Sequence, residues 1–371
     1  MILLTDCLFP SKYAKWRIEE IKSFIDEKDT DILVFKLDQW GDILHGFDYD
    51  EMKDYYGLDK FNILIFDPKY NFVNKYNKRI NGKVFNRKFP GSYLFTKRTD
   101  FDVKRYRAIY HIFLSLWRFF NENYKFLNKN QFIHLYPGGG YASKDSLLKV
   151  NKETNIISTQ HFITEALVKN KFPSFVEVLG ATFLQKDSGY TKRQINNGTL
   201  KICFSNLVGK ETKGVYAYVQ IAEQYTKQYP EDDVKFYSVG NCQSSESISH
   251  YQPISMNNLE KLYDKMDILI SPDTKEDLSG WPLGGIEAML HGVVVVTTDI
   301  KHSNKHFRFT KDMMVITEEG IPNTIQNIKK LYLNRKLLNS MSVNVQKYAN
   351  DLFSYKNQQQ VIFDFIDRKT K

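Results

Sequence analysis

The sequence is poor in cysteine and contains no long apolar run. It has three cysteines in 371 residues. Cys7, Cys203 and Cys242 are far apart, which excludes a disulfide framework and a C-x-x-C metal or redox pair. No apolar stretch approaches the roughly 18 to 20 residues that cross a bilayer. Residues 1–6 lack the basic region and the long apolar region of a signal peptide. We therefore expect a cytoplasmic protein without a transmembrane span.

Metal-ligand patterns are also scarce. His302 and His306 have the i, i+4 spacing of a helical zinc site, but they occupy a loop-like stretch. The glutamate of a zinc-peptidase motif is missing from this stretch. We predict no metal site.

Apolar and aromatic residues, in contrast, are plentiful. Hydrophobic residues make up 42% of the chain and aromatic residues 15%. A chain of this length normally forms two or three domains, each large enough to bury its own core. This composition predicts a globular protein and excludes an intrinsically disordered one.

Positive charge is concentrated in one segment, residues 68–107. It carries twelve basic and two acidic residues, whereas the net charge of the whole chain is +9. Aromatic residues are interspersed among the charges. Three interpretations remain: a solvated face beside a core helix, a surface that binds anionic lipid headgroups, and a nucleic-acid groove. Because no nucleic-acid-binding signature accompanies the segment, we predict no nucleic-acid partner, and peripheral binding to the inner face of the membrane stays open.

Short apolar runs alternate with helical patterns along the whole chain. Candidate strands lie at residues 2–4, 32–35, 62–66, 132–135, 155–158, 175–179, 200–204, 234–239, 268–270, 293–297 and 313–316. Candidate helices lie at residues 14–25, 101–127, 143–150, 213–228, 257–266, 285–290, 324–332 and 357–367. Apolar strands separated by helices indicate parallel sheets covered on both faces, and hence an α/β fold.

The most informative stretch for chemistry is residues 267–299. A buried strand leads into a polar loop, Gly284 and Gly285 open a helix, Glu287 lies in its first turn, and a second buried strand follows. Glycine lets a ligand approach the backbone, and a helix N-terminus suits a diphosphate. Glu287 can accept hydrogen bonds from the two hydroxyls of a ribose. The alternative is an ordinary glycine-rich turn with a capping glutamate.

This stretch resembles the C-terminal half of the retaining GT-B glycosyltransferases, glycosyltransferase family 4. Residues 286–289 match the family's Leu-Glu-Ala-Met helix, and residues 292–299 match the strand that follows it. The family usually has a second glutamate eight positions before Glu287, where this sequence has Ser279. The resemblance assigns Ser279 and Gly280 to the donor site, and Glu276 or Asp277 could substitute for the missing carboxylate.

A second matching element follows the strand at residues 200–204. In the family, a Lys-Gly pair at this point brings an ammonium group to the donor diphosphate, and here the pair is Lys213-Gly214. The resemblance therefore implies a catalytic role for Lys213 and for Glu287. The family's accompanying arginine is replaced by Val208, and Lys210 is the candidate for the second charge. Taken alone, a lysine at a helix start is more often a solvated residue.

The first half of the chain supplies the third matching element. The family has a histidine at a strand end that faces the donor sugar and phosphate, and His161 falls at that position. The same resemblance suggests a backbone loop at the cleft, formed by Gly138, Gly139 and Gly140. Ser11 and Lys12, after the first strand, are candidates for acceptor binding.

The resemblance implies a GT-B architecture with two Rossmann-like domains facing each other across a cleft. The N-terminal domain is expected at residues 1–187, with the final helix at 353–371 crossing back to it, and the donor-binding domain at 188–352. The implied reaction transfers a sugar from a nucleotide-diphosphate sugar, with UDP-sugar favoured, to a glycan, lipid-linked or protein acceptor. It proceeds with retention and without a cofactor or metal. An inverting transferase and a non-catalytic acceptor-binding partner of an active transferase remain as alternatives.

Overall fold

The structure is a computed structural model that describes most of the chain. The described residues are 1–6, 15–34, 49–57, 60–66, 92–95, 102–112, 114, 117–118, 120–121, 130–135, 150–159, 161–178, 195, 198–206, 214–240, 245–252, 256–272, 283–298, 313, 315–317, 320–352 and 355–371. They fall into two compact units, one formed by Met1–Leu184 with Gln358–Lys371 and the other by Gln185–Asn357. The boundary expected after residue 187 lies outside the described residues and stays a prediction.

The first unit is built on an eight-stranded parallel sheet within the described residues. Its strands are β1 (Ile2–Asp6), β2 (Thr30–Val34), β3 (Ile63–Phe66), β4 (Tyr93–Phe95), β5 (Ala108–His111), β6 (Gln131–Leu135), β7 (Asn155–Ser158) and β8 (Phe175–Glu177), in the spatial order β4-β3-β2-β1-β5-β6-β7-β8. Its helices include α1 (Lys15–Glu27), α2 (Tyr49–Tyr56) and α3 (His161–Lys169). Strands β1, β2, β5, β6 and β7 are buried along their length, as expected for a parallel sheet covered on both faces.

The long helix predicted at residues 101–127 is wrong in its first part, whereas the described residues 114, 117–118 and 120–121 are helical. A 3-10 turn (Val103–Arg105) leads into β5, which pairs with β1 and β6 in the middle of the sheet. All four residues of β5 are buried. A strand buried on both faces has no alternating pattern, so its apolar residues can be taken for one face of a helix.

Charged and polar side chains join α1 to the sheet inside the first unit. Arg17 Nη1 donates to Asp6 Oδ2 over 2.6 Å, and both side chains are fully buried. Glu20 Oε1 accepts from the Tyr110 hydroxyl over 2.6 Å and lies 2.7 Å from His134 Nδ1. Because buried polar groups are costly unless they are paired, these contacts fix the position of α1 on β1, β5 and β6.

The second unit contains a six-stranded parallel sheet within the described residues. Its strands are β9 (Leu200–Asn206), β10 (Val234–Gly240), β11 (Ile248–Tyr251), β12 (Ile268–Ser271), β13 (Val294–Thr298) and β14 (Val315–Thr317). Its helices include α4 (Val215–Gln228), α5 (Met256–Tyr263), α6 (Leu283–Leu290), α7 (Ile321–Leu333) and α8 (Arg335–Leu352). The core lies where α4 and α7 cover the sheet, and the Phe204 and Tyr218 rings stack there at 5.0 Å.

The last helix, α9 (Tyr355–Thr370), belongs with the first unit from Gln358 onward. The Phe363 ring packs edge-on against Phe24 at 5.0 Å. Asp367 accepts from Lys28 Nζ over 3.0 Å and from Arg107 Nη2 over 2.9 Å. Among the described residues, every helix is too short or too polar to cross a bilayer.

Candidate active site

The strand order of the second unit creates a point where a ligand can bind. The order is β11-β10-β9-β12-β13-β14. The chain adds β10 and β11 on one side of β9, then returns to add β12, β13 and β14 on its other side. This is the strand order of the Rossmann fold. In such sheets, ligands bind outside the carboxyl ends of the strands where the direction of winding reverses. Here that point lies between β9 and β12.

The connection from β9 to α4 ends in a glycine held in a left-handed conformation. Gly214 caps the amino end of α4 with a φ of 74°. A Cβ atom at this position would lie 2.5 Å from both the Cγ and the carbonyl oxygen of Pro272, the residue after β12. Since only glycine tolerates both the backbone angle and this close approach, Gly214 fixes the amino end of α4 against the carboxyl end of β12.

The amino end of α6 also lies near this point. A Cβ atom on Gly284 would be 3.9 Å from the Ser205 carbonyl oxygen, near the carboxyl end of β9. It would also be 3.6 Å from the Tyr263 hydroxyl. The amino ends of α4 and α6 therefore both lie at the carboxyl ends of β9 and β12, where each helix has unpaired N–H groups.

The sequence of α6 explains both its burial and the exposure of one side chain. Ile286, Ala288 and Met289 are fully buried against the sheet, whereas Glu287 is only partly buried. The sequence predicts a helix that begins at residue 285 and has Glu287 in its first turn. The helix instead begins at Leu283, two residues earlier, so Glu287 lies in its second turn.

The electrostatics of this region involve a tyrosine beneath α6. Tyr263 is fully buried, and burial raises the pKa of its hydroxyl well above the ordinary value. The negative charge of Glu287 and the Cys203 thiol raise this pKa further, whereas a hydrogen bond with the Ser205 side chain lowers it. Tyr263 therefore keeps a neutral hydroxyl.

Several predicted site residues lie outside the described residues, and their roles stay predictions. These are Ser11, Lys12, Gly138, Gly139, Gly140, Lys210, Lys213, Ser279 and Gly280. Gly214, the residue after Lys213, is described and lies against Pro272. The basic segment 68–107 is described only at residues 92–95 and 102–107.

His161 is the first residue of α3 and not the last residue of a strand, because β7 ends at Ser158. The turn between the two elements is held by the Thr159 hydroxyl, which donates to the Leu135 carbonyl of β6 over 2.7 Å. The Thr164 hydroxyl donates to Ser158 Oγ over 3.0 Å. These bonds anchor the end of β7 and the first turns of α3 at the carboxyl edge of the first sheet.

Sequence reasoning missed Tyr263, whose hydroxyl lies 3.6 Å from the Cβ position of Gly284 at the start of α6. In sequence it is only an aromatic residue at the end of an amphipathic helix, where Leu259 and Leu262 are also buried. The one feature that could have singled it out is its hydroxyl group, since a buried tyrosine hydroxyl usually requires a hydrogen-bond partner. The sequence does not identify that partner, because it does not show how the helices and strands pack.

Residues 199–334 match the model of the glycosyl transferases group 1 family. The matched segment runs from just before β9 to just after α7, so it includes β9, β12, α4 and α6 at the candidate site. No curated protein sequence matches this chain.

Solved structures resemble the chain over nearly its whole length. Anabaena Alr3699/HepE in complex with UDP and glucose has a TM-score of 0.67 at 11% identity, covering 99% of both chains. A glycosyltransferase from Rickettsia africae has a TM-score of 0.64 at 13% identity, covering 100% of this chain and 98% of that one. Sucrose-phosphate synthase from Thermosynechococcus elongatus has a TM-score of 0.59 at 11% identity, covering 99% and 98%.

At these identities the structural similarity shows the fold, which is a GT-B architecture. The family match covers residues 199–334, the part of the second unit that contains α4 and α6. Together, the fold and the family match show that this protein is a glycosyltransferase.

Proposed function

We propose that the protein transfers a sugar from a UDP-sugar to a glycan, lipid-linked or protein acceptor, with retention of configuration and without a metal. The observation that carries the proposal is that the amino ends of α4 and α6 both lie at the carboxyl ends of β9 and β12, where the winding of the sheet reverses. Two sets of unpaired N–H groups at one place suit a diphosphate. The donor is then bound by the second unit, and the acceptor by the first.

In this reaction, the bond between the anomeric carbon and the diphosphate oxygen breaks. Negative charge grows on the departing nucleoside diphosphate, and fixed positive potential stabilises it. The helix amino ends supply part of that potential. Lys213 supplies a full charge, because it directly precedes Gly214 at the start of α4. A metal ion is then not needed for this charge stabilisation.

Glu287 is the proposed acceptor of hydrogen bonds from the ribose hydroxyls. Its side chain is partly exposed on α6, while its helical neighbours Ile286 and Ala288 are fully buried. A carboxylate can accept a hydrogen bond from each of two adjacent hydroxyls. This assignment places the nucleoside over α6 and the diphosphate at the helix amino ends.

Retention follows if a donor phosphate oxygen takes the proton of the acceptor hydroxyl. The hydroxyl oxygen then bonds to the anomeric carbon on the face that the diphosphate leaves. His161, carried over from the family resemblance, is the proposed catalytic residue of the first unit. A UDP-sugar is the favoured donor because the HepE structures contain UDP with glucose, or UDP-glucose.

The experiment is a turnover screen with UDP- and GDP-sugars and with mixed acceptor extracts, in the presence and absence of EDTA. We expect turnover of a UDP-sugar that EDTA does not reduce. NMR of the product should show the anomeric configuration of the donor. An inverted product would support the alternative inverting mechanism, and loss of turnover with EDTA would contradict metal independence.

A further inference from the structure

An exposed aromatic pair lies at the carboxyl end of the edge strand β11. Tyr251 is the last residue of this strand, and 41% of its surface is exposed. Its ring is nearly parallel to that of Tyr237 on β10, with 17° between the ring planes and 6.2 Å between the centroids. Tyr237 is only partly exposed, so it supports the Tyr251 ring from one side. An aromatic ring that is held in place and exposed offers a flat surface to a ligand.

The pair lies on the face of the sheet that α6 also covers. Phe236, the neighbour of Tyr237, packs against Tyr218 and Tyr225 of α4. Because successive side chains of a strand lie on opposite faces, Tyr237 and Tyr251 are on the face away from α4. The helices that follow β9 and β12 connect strands added in opposite directions. Right-handed crossovers then place α4 and α6 on opposite faces, so α6 shares a face with the tyrosine pair.

Tyr251 is also level with the amino end of α6. In the register of the sheet, Tyr251 lies opposite Val239 on β10, and Val239 lies opposite Ser205 on β9. A Cβ atom on Gly284, at the amino end of α6, would be 3.9 Å from the Ser205 carbonyl oxygen. Two strand spacings are about 10 Å. Tyr251 is therefore about 10 Å across the sheet from the part of β9 that α6 approaches.

This separation suits the nucleoside of the proposed donor. The proposed function places the diphosphate at the amino ends of α4 and α6 and the ribose at Glu287. The base is the part of the nucleotide furthest from the diphosphate, and a ribose with its base bridges a distance of this order. Every nucleobase has a π face that stacks on an aromatic side chain.

We propose that Tyr251, supported by Tyr237, is the surface on which the nucleobase of the donor stacks. This inference rests on the proposed function and adds a subsite at the carboxyl ends of β10 and β11. Stacking is tolerant of base identity, so this subsite contributes more to affinity for the nucleotide than to a choice between UDP and GDP.

Calorimetry with UDP tests the subsite with two substitutions at one position. Tyr251→Ala should weaken UDP binding at least about fivefold, which is near the lower end of the losses measured for base–aromatic stacking. Tyr251→Phe keeps the ring and should bind UDP within about twofold of the wild-type chain. Ser249→Ala is the control, because Ser249 is also exposed and lies on the same face of β11. A loss in Tyr251→Phe as large as that in Tyr251→Ala would overturn the proposal.

Inorganic pyrophosphate separates stacking from a general disturbance of the donor site. It lacks the base, so Tyr251→Ala should leave its inhibition constant in UDP-sugar turnover within about twofold of the wild-type value. The inhibition constant of UDP should rise in the same variant. A parallel rise for both inhibitors would show that the substitution disturbs the diphosphate site, and would overturn the assignment of Tyr251 to the base.

The wild-type chain distinguishes the failure of this inference from the failure of the proposed function. Absence of UDP binding by the wild-type chain would refute the proposed donor site, and this inference with it. If the wild-type and Tyr251→Ala chains bind UDP equally tightly, the donor site stands and the role of Tyr251 is refuted.

Discussion

At the scale of single residues, Gly214 leaves no room for a side chain at the start of α4. Its backbone is left-handed, and Pro272 occupies the space that a side chain would need. We expect Gly214→Ala to lower the free energy of unfolding by at least about 1–2 kcal/mol from the backbone angle alone. Urea unfolding of the Gly214→Ala and wild-type chains would measure this difference in the free energy of unfolding. Gly198→Ala is the matched control, because no atom lies within 4 Å of its added Cβ. Equal stability of the two variants would contradict the contact.

Gly284 has a different role, which a second substitution tests. An added Cβ would lie at ordinary contact distances from Tyr263 and Ser205, and alanine favours a helix more than glycine by about 1 kcal/mol. Gly284→Ala should therefore keep or raise the urea midpoint while weakening UDP binding about fivefold or more, because the methyl group lies where a diphosphate approaches the backbone. Unchanged UDP affinity in calorimetry would show that the ligand does not approach α6 there.

A buried histidine in the first unit predicts a pH dependence of stability. His111 Nδ1 lies 2.8 Å from the Thr5 hydroxyl, and its Nε2 lies 3.1 Å from Gln131 Oε1. Burial lowers the pKa of His111 to about 3, and the hydrogen bond with Gln131 opposes this shift. The folded chain therefore keeps this histidine neutral while the unfolded chain takes up a proton below about pH 6.5.

The free energy of unfolding should consequently fall as pH decreases from about 6.5 toward 3. His111→Gln removes the titrating group and should give a shallower dependence in that range, measured by urea unfolding at a series of pH values. Identical pH dependence in the two chains would contradict the assignment.

The sequence motif identified Glu287, Gly284 and Gly285 because these residues belong to one short stretch of chain. The position of Tyr263 could not be predicted in the same way. Its hydroxyl on α5 lies beside Gly284 at the start of α6, on a separate element of the chain. This approach arises only when α5 and α6 are packed together.

At the scale of elements, the differences between the predicted and observed helices and strands have physical causes. The apolar pattern of β5 predicts part of a helix because its residues are buried on both faces of the sheet. Strand β11 was missed because it is an edge strand with one buried residue, Ile248. Helix α8 is absent from the predicted elements, although its sequence has apolar residues at helical spacing. Of these, Leu338, Met341 and Val345 are buried.

The final helix gives a prediction at this scale. Phe363 packs against Phe24, and the described residues of α9 from Gln358 onward belong to the first unit. Phe363→Ala should lower the free energy of unfolding by about 3–5 kcal/mol, as for other buried phenylalanines. Val361→Ala is the control, because Val361 on the same helix is 37% exposed. Urea unfolding followed by circular dichroism should separate the two variants, and equal midpoints would contradict the packing.

At the scale of the whole molecule, alternation of strands and helices was sufficient to predict an α/β fold with parallel sheets. The GT-B architecture followed from the motif around Glu287, and the structural similarity confirms it. The strand order could not be predicted, because it depends on long-range pairing such as that of β9 with β12. The transferred sugar and the acceptor also do not follow from the sequence, since they depend on side chains of several separate loops. Membrane binding through residues 68–107 stays a prediction.

The central claim is that Lys213 and Glu287 help the amino ends of α4 and α6 to bind a nucleoside diphosphate. Isothermal calorimetry with UDP tests it most directly. Lys213→Ala and Glu287→Ala should each weaken UDP binding at least about tenfold, the effect of losing one charge-assisted contact. Lys227→Ala and Glu223→Ala, at exposed positions further along α4, are the controls and should bind as the wild-type chain does. Folded Lys213→Ala and Glu287→Ala variants that bind UDP as tightly as the wild-type chain would contradict the account.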